Sequence, residues 1–190
     1  MIIVILLAAG QSKRIPGENK LIKYYKNKPL INHSIDAIKK SKVNKIIIVL
    51  GYQSNQIKRL IKKNKKINFV INKKYKKGMS SSIKCGLRKI TIKNAGFIIA
   101  QSDMPFMKSS DINKICNSIK KGKNLIHILK FRNKVGNPIG FDISILRKFK
   151  KIKGNKGAKY IVKRLKKNTK FIRVSSNKVF KDLDYKKDFI

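Results

Sequence analysis

Ile2-Ile3-Val4-Ile5-Leu6-Leu7-Ala8-Ala9-Gly10-Gln11-Ser12-Lys13-Arg14-Ile15-Pro16-Gly17-Glu18-Asn19-Lys20-Leu21 opens the chain. The apolar run 2–6 is short and rich in β-branched residues, which predicts a buried strand. It empties through small residues into a loop where backbone N–H groups can approach an anion closely. Arg14 and Lys20 stand at fixed distance beyond, able to clamp that anion. One glycine without G-x-G-x-x-G or Walker spacing leaves an ordinary basic loop open at this point.

Similar apolar runs recur at 46–50, 67–71, 96–100 and 125–129. Between them, 30–40, 55–63, 81–90 and 110–120 carry helical spacing. Strands alternating with helices require crossovers and predict an α/β domain with an open, mostly parallel sheet. The last third is less regular. It offers a turn at Gly136-Asn137-Pro138, a short segment 139–143, a helix 158–166 and a late strand 171–174. With no repeat or linker, residues 1–190 read as a single domain. An open sheet binds ligands beyond the carboxyl ends of its strands. That placement puts Gly10, Asn72, Asp103 and the loop around Gly136 on one rim.

The formal charge is +41, from 49 basic and 8 acidic residues. Such a field attracts polyanions whatever their sequence. Yet lysine is spread along the whole chain beside abundant Ile and Asn, residues with A/T-rich codons, so genome composition accounts for it. No arginine-rich tail, zinc-finger spacing or aromatic-glycine stretch marks a specific nucleic-acid partner. An inactive basic module that binds nucleic acid is the rival from another class. Cys85 and Cys116, far apart and outside any C-x-x-C, read as reduced core thiols. The first apolar run is too short for a membrane span and has no basic segment before it, which points to the cytoplasm and away from membranes.

In so basic a chain each remaining acid is informative. Asp103 follows the strand 96–100 directly, in Gln101-Ser102-Asp103-Met104-Pro105, at a rim position suited to Mg²⁺, which takes one or two carboxylates and completes its shell with water and phosphate oxygens. Asp111 reads as a helix cap and Asp182 as closing a turn. His33 falls in a helix and His127 inside a strand, both as structural residues.

Leu7 to Arg14, Asn19-Lys20-Leu21 and Ser102-Asp103-Met104-Pro105 together resemble the molybdenum cofactor cytidylyltransferases, MobA-like NTP transferases of the nucleotide-diphospho-sugar transferase superfamily. Further segments agree in order: Gly51-Tyr52, Asn72 to Ser82, Gly136-Asn137-Pro138, Gly154-Asn155-Lys156-Gly157-Ala158 and Asp182 to Phe189. The resemblance implies a Rossmann-like sheet with helices on both faces. It also implies nucleotide contacts at Leu7, Ala8, Ala9, Gly10, Ser12, Asn72, Gly78 and Ser82. Arg14, Lys20 and Asp103 would be catalytic, Asp103 and Asp184 would hold Mg²⁺, and Asn137 and Pro138 would meet the acceptor. CTP, a molybdopterin-type phosphate acceptor and a downstream molybdoenzyme or chaperone are the implied partners.

Guanylyl-transferring relatives tend to read Leu-Ala-Gly-Gly at the first loop. Ala9 replaces the first of those glycines here, and its methyl group favours a pyrimidine base. Three departures fall elsewhere. Ile15-Pro16-Gly17 replaces Met-Gly, with Pro16 fixing φ and removing an N–H. Asn137 replaces the histidine of Gly-His-Pro, and Tyr185-Lys186 replaces Thr-Pro. These changes bear on the acceptor more than on the reaction.

Overall fold

A computed structural model describes residues 1–190 apart from 13, 16, 17, 92 and 190; the backbone reading of Pro16 lies outside the described residues. Nine strands and five helices are assigned among them. They are β1 (Ile2–Ala8), a two-residue ribbon of β2 (Tyr24–Tyr25) and β3 (Lys28–Pro29), α1 (Leu30–Lys39), β4 (Lys45–Leu50), α2 (Ser54–Arg59), β5 (Ile67–Ile71) and α3 (Met79–Leu87). There follow β6 (Gly96–Gln101), α4 (Ser109–Lys120), β7 (Ile126–Phe131), β8 (Lys134–Asp142), α5 (Ala158–Arg164) and β9 (Thr169–Arg173).

Seven strands form one sheet in the order β5-β4-β1-β6-β8-β7-β9. Only β8 runs against the rest, antiparallel to both β6 and β7. The central strands are apolar on both faces because both are covered. Along β1, Ile2, Val4, Leu6 and Ala8 face a layer built by α1, α2 and α4, while Ile3 and Ile5 face α3, α5 and the 3₁₀ segment Ile143–Lys151. That is the period-2 alternation of a strand between two helical layers.

Chain order reverses between β1 and β6. From β1 the sheet grows outward to β4 and β5, then returns to place β6 on the other side of β1. A crevice at the carboxyl ends of these two strands follows from that switch.

The turn expected at Gly136-Asn137-Pro138 is instead the interior of β8. Ile128 pairs with Ile139 and Leu129 with Gly136, so Asn137 and Pro138 are extra residues bulged out of the β7–β8 ladder. A bulge supplies the local bend that glycine and proline suggest as a turn. The hairpin turns four residues earlier, at Arg132 with φ +50°. Helix α2 ends at Arg59, short of the expected 63. Among the described residues, no helix is long and apolar enough to cross a membrane.

Candidate active site

A cavity of about 480 Å³ opens at the carboxyl ends of β1 and β6. Leu7, Ala8, Ala9, Gly10 and Ser12 form one wall, and Gln101, Ser102 and Asp103 another. The two strand ends are tied together where Ser102 Oγ donates to the Leu7 carbonyl at 2.7 Å. A Cβ added at Gly10 would meet no protein atom within 4 Å. Protein packing therefore places no demand on that glycine, and the room in front of it lies within the cavity.

The loop then folds back on itself. Ser12, at φ +53°, donates through Oγ to Asn19 Oδ1 at 3.3 Å and accepts the Lys20 backbone N–H at 3.1 Å. Asn19 Oδ1 also accepts the Leu21 N–H at 3.1 Å. These short side chains satisfy loop backbone groups that no ladder reaches. Their effect is to return Lys20 beneath the strand ends.

Lys20 Nζ lies 2.6 Å from Asp103 Oδ2 and 2.5 Å from Asp184 Oδ1, and Arg14 pairs with the other oxygen of Asp184. Burial alone would lower the Lys20 pKa. The charge of Asp103, and hydrogen bonds to Asp103 and Asp184, outweigh it and raise the value above 10.5. Lys20 is thus firmly cationic. Arg14 remains largely exposed and also sits over the Tyr185 ring, 5.8 Å from its centroid.

The C-terminal motif reaches this point because Leu183 N–H donates to the Asp103 carbonyl at 3.1 Å. Asp188 then accepts the backbone N–H groups of Asp184 and Tyr185, both at 2.9 Å, which hold its own pKa low. Among the described residues, Asp103, Asp182 and Asp184 each offer a carboxylate oxygen within 4.8 Å of the others. Burial first, then the charges of Asp184 and Asp103, push the Asp182 carboxyl up. Asp103 Oδ1 is buried with no hydrogen-bond partner. An orphaned carboxylate oxygen beside two further acids is a donor set for a hard divalent cation.

The remaining expected residues divide between wall and support. Gly78 and Ser82 line the cavity with Tyr75, Lys76 and Asn155. Asn72 stands behind them, donating to Ser81 Oγ at 2.8 Å and Ser82 Oγ at 3.0 Å. Gly78 needs its φ of +92°, and a Cβ there would lie 2.6 Å from Asn155 Oδ1. The loop around Asn155 is therefore seated on it. Asn137 and Pro138 do not line the cavity; Asn137 reaches it through Gln101, donating to Oε1 at 2.9 Å.

His33 and His127 are structural, as their positions suggest. His33 Nε2 lies 2.9 Å from the Tyr25 carbonyl, and His127 is buried in β7 with Nδ1 2.8 Å from Ser118 Oγ. Asp111 caps the start of α4, accepting the Lys108 backbone N–H at 3.0 Å.

The model of the MobA-like NTP transferase domain matches residues 4–169. The chain belongs to this family. Among curated proteins this MobA-like domain is 31% identical over 152 residues to the bifunctional protein GlmU of Buchnera aphidicola, covering 80% of the chain and 31% of GlmU. To the 3-deoxy-manno-octulosonate cytidylyltransferase of Wigglesworthia glossinidia brevipalpis it is 34% identical over 125 residues, 65% of the chain and 49% of that enzyme. It spans about a third to a half of the length of these relatives. Among solved structures, Rv0371c of Mycobacterium tuberculosis superposes with a TM-score of 0.86 at 18% identity, over 99% of this chain and 95% of that one. A manganese complex of Rv0371c superposes at 0.82 and 17% identity, over 99% and 95%. The fold is thus that of Rossmann-like nucleotidyltransferases.

Residue type alone gave no reason to select Gln101, and Asp182 read as closing a turn. For Asp182 a signal was available: three acids within seven residues of a lysine-rich tail, 182–188.

Proposed function

We propose that this MobA-like domain transfers a nucleoside monophosphate, CMP from CTP, onto the terminal phosphate of a molybdopterin-type cofactor and releases pyrophosphate. One observation carries this: Lys20 bridges Asp103 and Asp184 directly below a loop whose Gly10 faces open cavity. Two cations, a cluster of carboxylates and a small-residue cradle are what a triphosphate and its counter-ion require.

An acceptor phosphate oxygen attacks the α-phosphorus of CTP. A new P–O bond forms as the bond from the α-phosphorus to the bridging oxygen breaks, and pyrophosphate leaves with that electron pair. The nucleophile is already ionised at neutral pH, so no general base is required, in accord with both histidines lying in structural roles. The backbone of Ala8 to Gly10 holds base and ribose. Lys20 and Arg14 exchange carboxylate for phosphate oxygens and offset charge on the leaving group, so catalysis rests on positioning and electrostatics. Asp103 and Asp184 would hold Mg²⁺, with Asp182 beside them. When bound, the ion neutralises phosphate charge at the reacting centre. The family supports the nucleotidyl-transfer reading, and Ala9 supports the pyrimidine.

Pyrophosphate release from each of the four NTPs, with Mg²⁺ and with or without molybdenum-molybdopterin, tests it. Release confined to CTP plus that acceptor is the expected result. Release with GTP, or with a sugar or polyol phosphate instead, replaces donor or acceptor and keeps the reaction. No release, no NTP-dependent thermal shift and tight, salt-sensitive RNA binding would establish the basic nucleic-acid module.

A further inference from the structure

We propose that Gln101 binds the acceptor phosphate, its amide turned by Asn137 so that the NH₂ group donates to an anionic oxygen of the incoming phosphate. This rests on the nucleotidyl-transfer reading above. Gln101 is the last residue of β6, two before Asp103, and it lines the cavity. Its backbone position is fixed because the next residue, Ser102, is hydrogen-bonded to Leu7.

An amide side chain has an accepting end and a donating end, and a neighbour that occupies one decides what the other offers. Asn137 Nδ2 donates to Gln101 Oε1 at 2.9 Å. The carbonyl end is therefore occupied, and the NH₂ is what remains for a ligand. β6 and β8 pair antiparallel with Ile99 opposite Ile139, and the same register carried two residues further sets Asn137 opposite Gln101. The bulge at Asn137 and Pro138 interrupts the pairing with β7 alone.

The chemistry selects the ligand. Lys20 and Arg14, held by Asp103 and Asp184, are in the proposed reaction committed to the leaving pyrophosphate and not to the acceptor. A neutral donor next to these acids attracts a phosphate oxygen without adding a cation that would compete for the carboxylates. A purely structural amide pair would have no such ligand dependence, and its loss would weaken both substrates alike.

Methyl phosphate, the simplest phosphomonoester, is the probe, titrated by calorimetry into the full chain saturated with Mg²⁺ and α,β-methylene-CTP. In Gln101→Glu, Asn137 still has an oxygen to donate to, while the NH₂ becomes a repelling oxygen. That variant should bind methyl phosphate about tenfold more weakly and the nucleotide analogue within about twofold of wild type. Asn137→Ala, which frees the Gln101 amide, should weaken methyl phosphate by about threefold and leave the analogue unchanged. Unchanged methyl phosphate affinity in Gln101→Glu, or equal losses for both ligands, overturns the proposal. So does a wild-type complex that binds the analogue but not methyl phosphate, which leaves the nucleotide assignment standing. If wild type binds no analogue, the nucleotide assignment itself fails and takes this inference with it.

Discussion

Lys20 and Asp103 form a pair that β6 and the first loop build from opposite sides: Nζ and Oδ2 are 2.6 Å apart, with side chains only 12% and 16% exposed. The residues are 83 positions apart in sequence, and the fold brings them together because β1 and β6 are neighbours at the switch point. At such low exposure the interaction escapes most of the screening that weakens surface ion pairs.

Lys20→Ala should reduce turnover by about a hundredfold or more, the scale on which one preorganised electrostatic partner acts. Its far-UV circular dichroism should match wild type, because the pair sits on the rim rather than in either core layer. Pyrophosphate release near wild-type rate by the folded variant would remove Lys20 from the reaction.

The acidic cluster predicts an order of effects on Mn²⁺ binding measured by electron paramagnetic resonance with CTP present. Asp103→Asn replaces the buried, unpartnered oxygen's carboxylate and should weaken Mn²⁺ by about tenfold or more. Asp182→Asn, the most exposed of the three, should cost less, about threefold. The reverse order would make Asp182 the principal ligand.

Ala9 and Tyr75 both close on Gly51, where an added Cβ would stand 2.8 Å from the Cβ of each. On the proposed reading the base meets Ala9, whose other side is closed by the Gly51 backbone. Ala9→Gly should shift the CTP-to-GTP ratio of kcat/KM toward GTP by about tenfold, within the 1 to 3 kcal/mol that one methyl group in a pocket supplies. An unchanged ratio would place base selection elsewhere on the cavity wall.

How legible this was in the sequence varies with burial. β1, β4 and β6 are covered on both faces, so their unbroken apolar runs stand out. β9 is an edge strand with Lys170, Phe171 and Arg173 exposed, and its limits were correspondingly blurred. β8 carries Gly136, Asn137 and Pro138, which local turn chemistry cannot distinguish from a bulge. Scarcity of acids singled out Asp103, the first loop supplied Arg14 and Lys20, and Asp184 came from the family resemblance. The Gln101–Asn137 contact was not legible, since an amide pair is set by the register of β6 against β8 and has no residue pattern of its own.

His127 makes stability depend on pH. Burial lowers its pKa below 6.5, partly offset by the charge of Asp142; Nδ1 meets Ser118 Oγ, and Nε2 is buried without a partner. Below pH 6.5 the unfolded chain takes up a proton that the folded chain refuses, so stability falls as pH drops from 6.5 toward the folded value. The slope from this site is at most about 1.4 kcal/mol per pH unit. His127→Gln, which keeps a polar partner for Ser118 and does not titrate, should flatten the Tm profile between pH 6.5 and 5. Some slope should remain from His33, whose pKa burial also lowers. An unaltered profile would show that His127 does not resist protonation.

Gly86 sets helix propensity against packing. Alanine is better than glycine inside a helix by about 1 kcal/mol, and Gly86 lies inside α3. Its added Cβ, however, would stand 2.6 Å from Ile5 Cγ2 and 3.0 Å from Val49 Cγ2, both on fully buried side chains of central strands. Neither β-branched side chain can turn away cheaply, so α3 must lift from the sheet, at an overpacking cost of about 1 to 3 kcal/mol. The clash outweighs the propensity gain, and Gly86→Ala should lower Tm by about 2 to 6 °C in a scanning calorimeter. Because α3 carries Ser82 into the cavity wall, the same displacement should weaken CTP binding. A raised Tm with unchanged CTP affinity would mean that the helix and sheet are packed less closely than these contacts require.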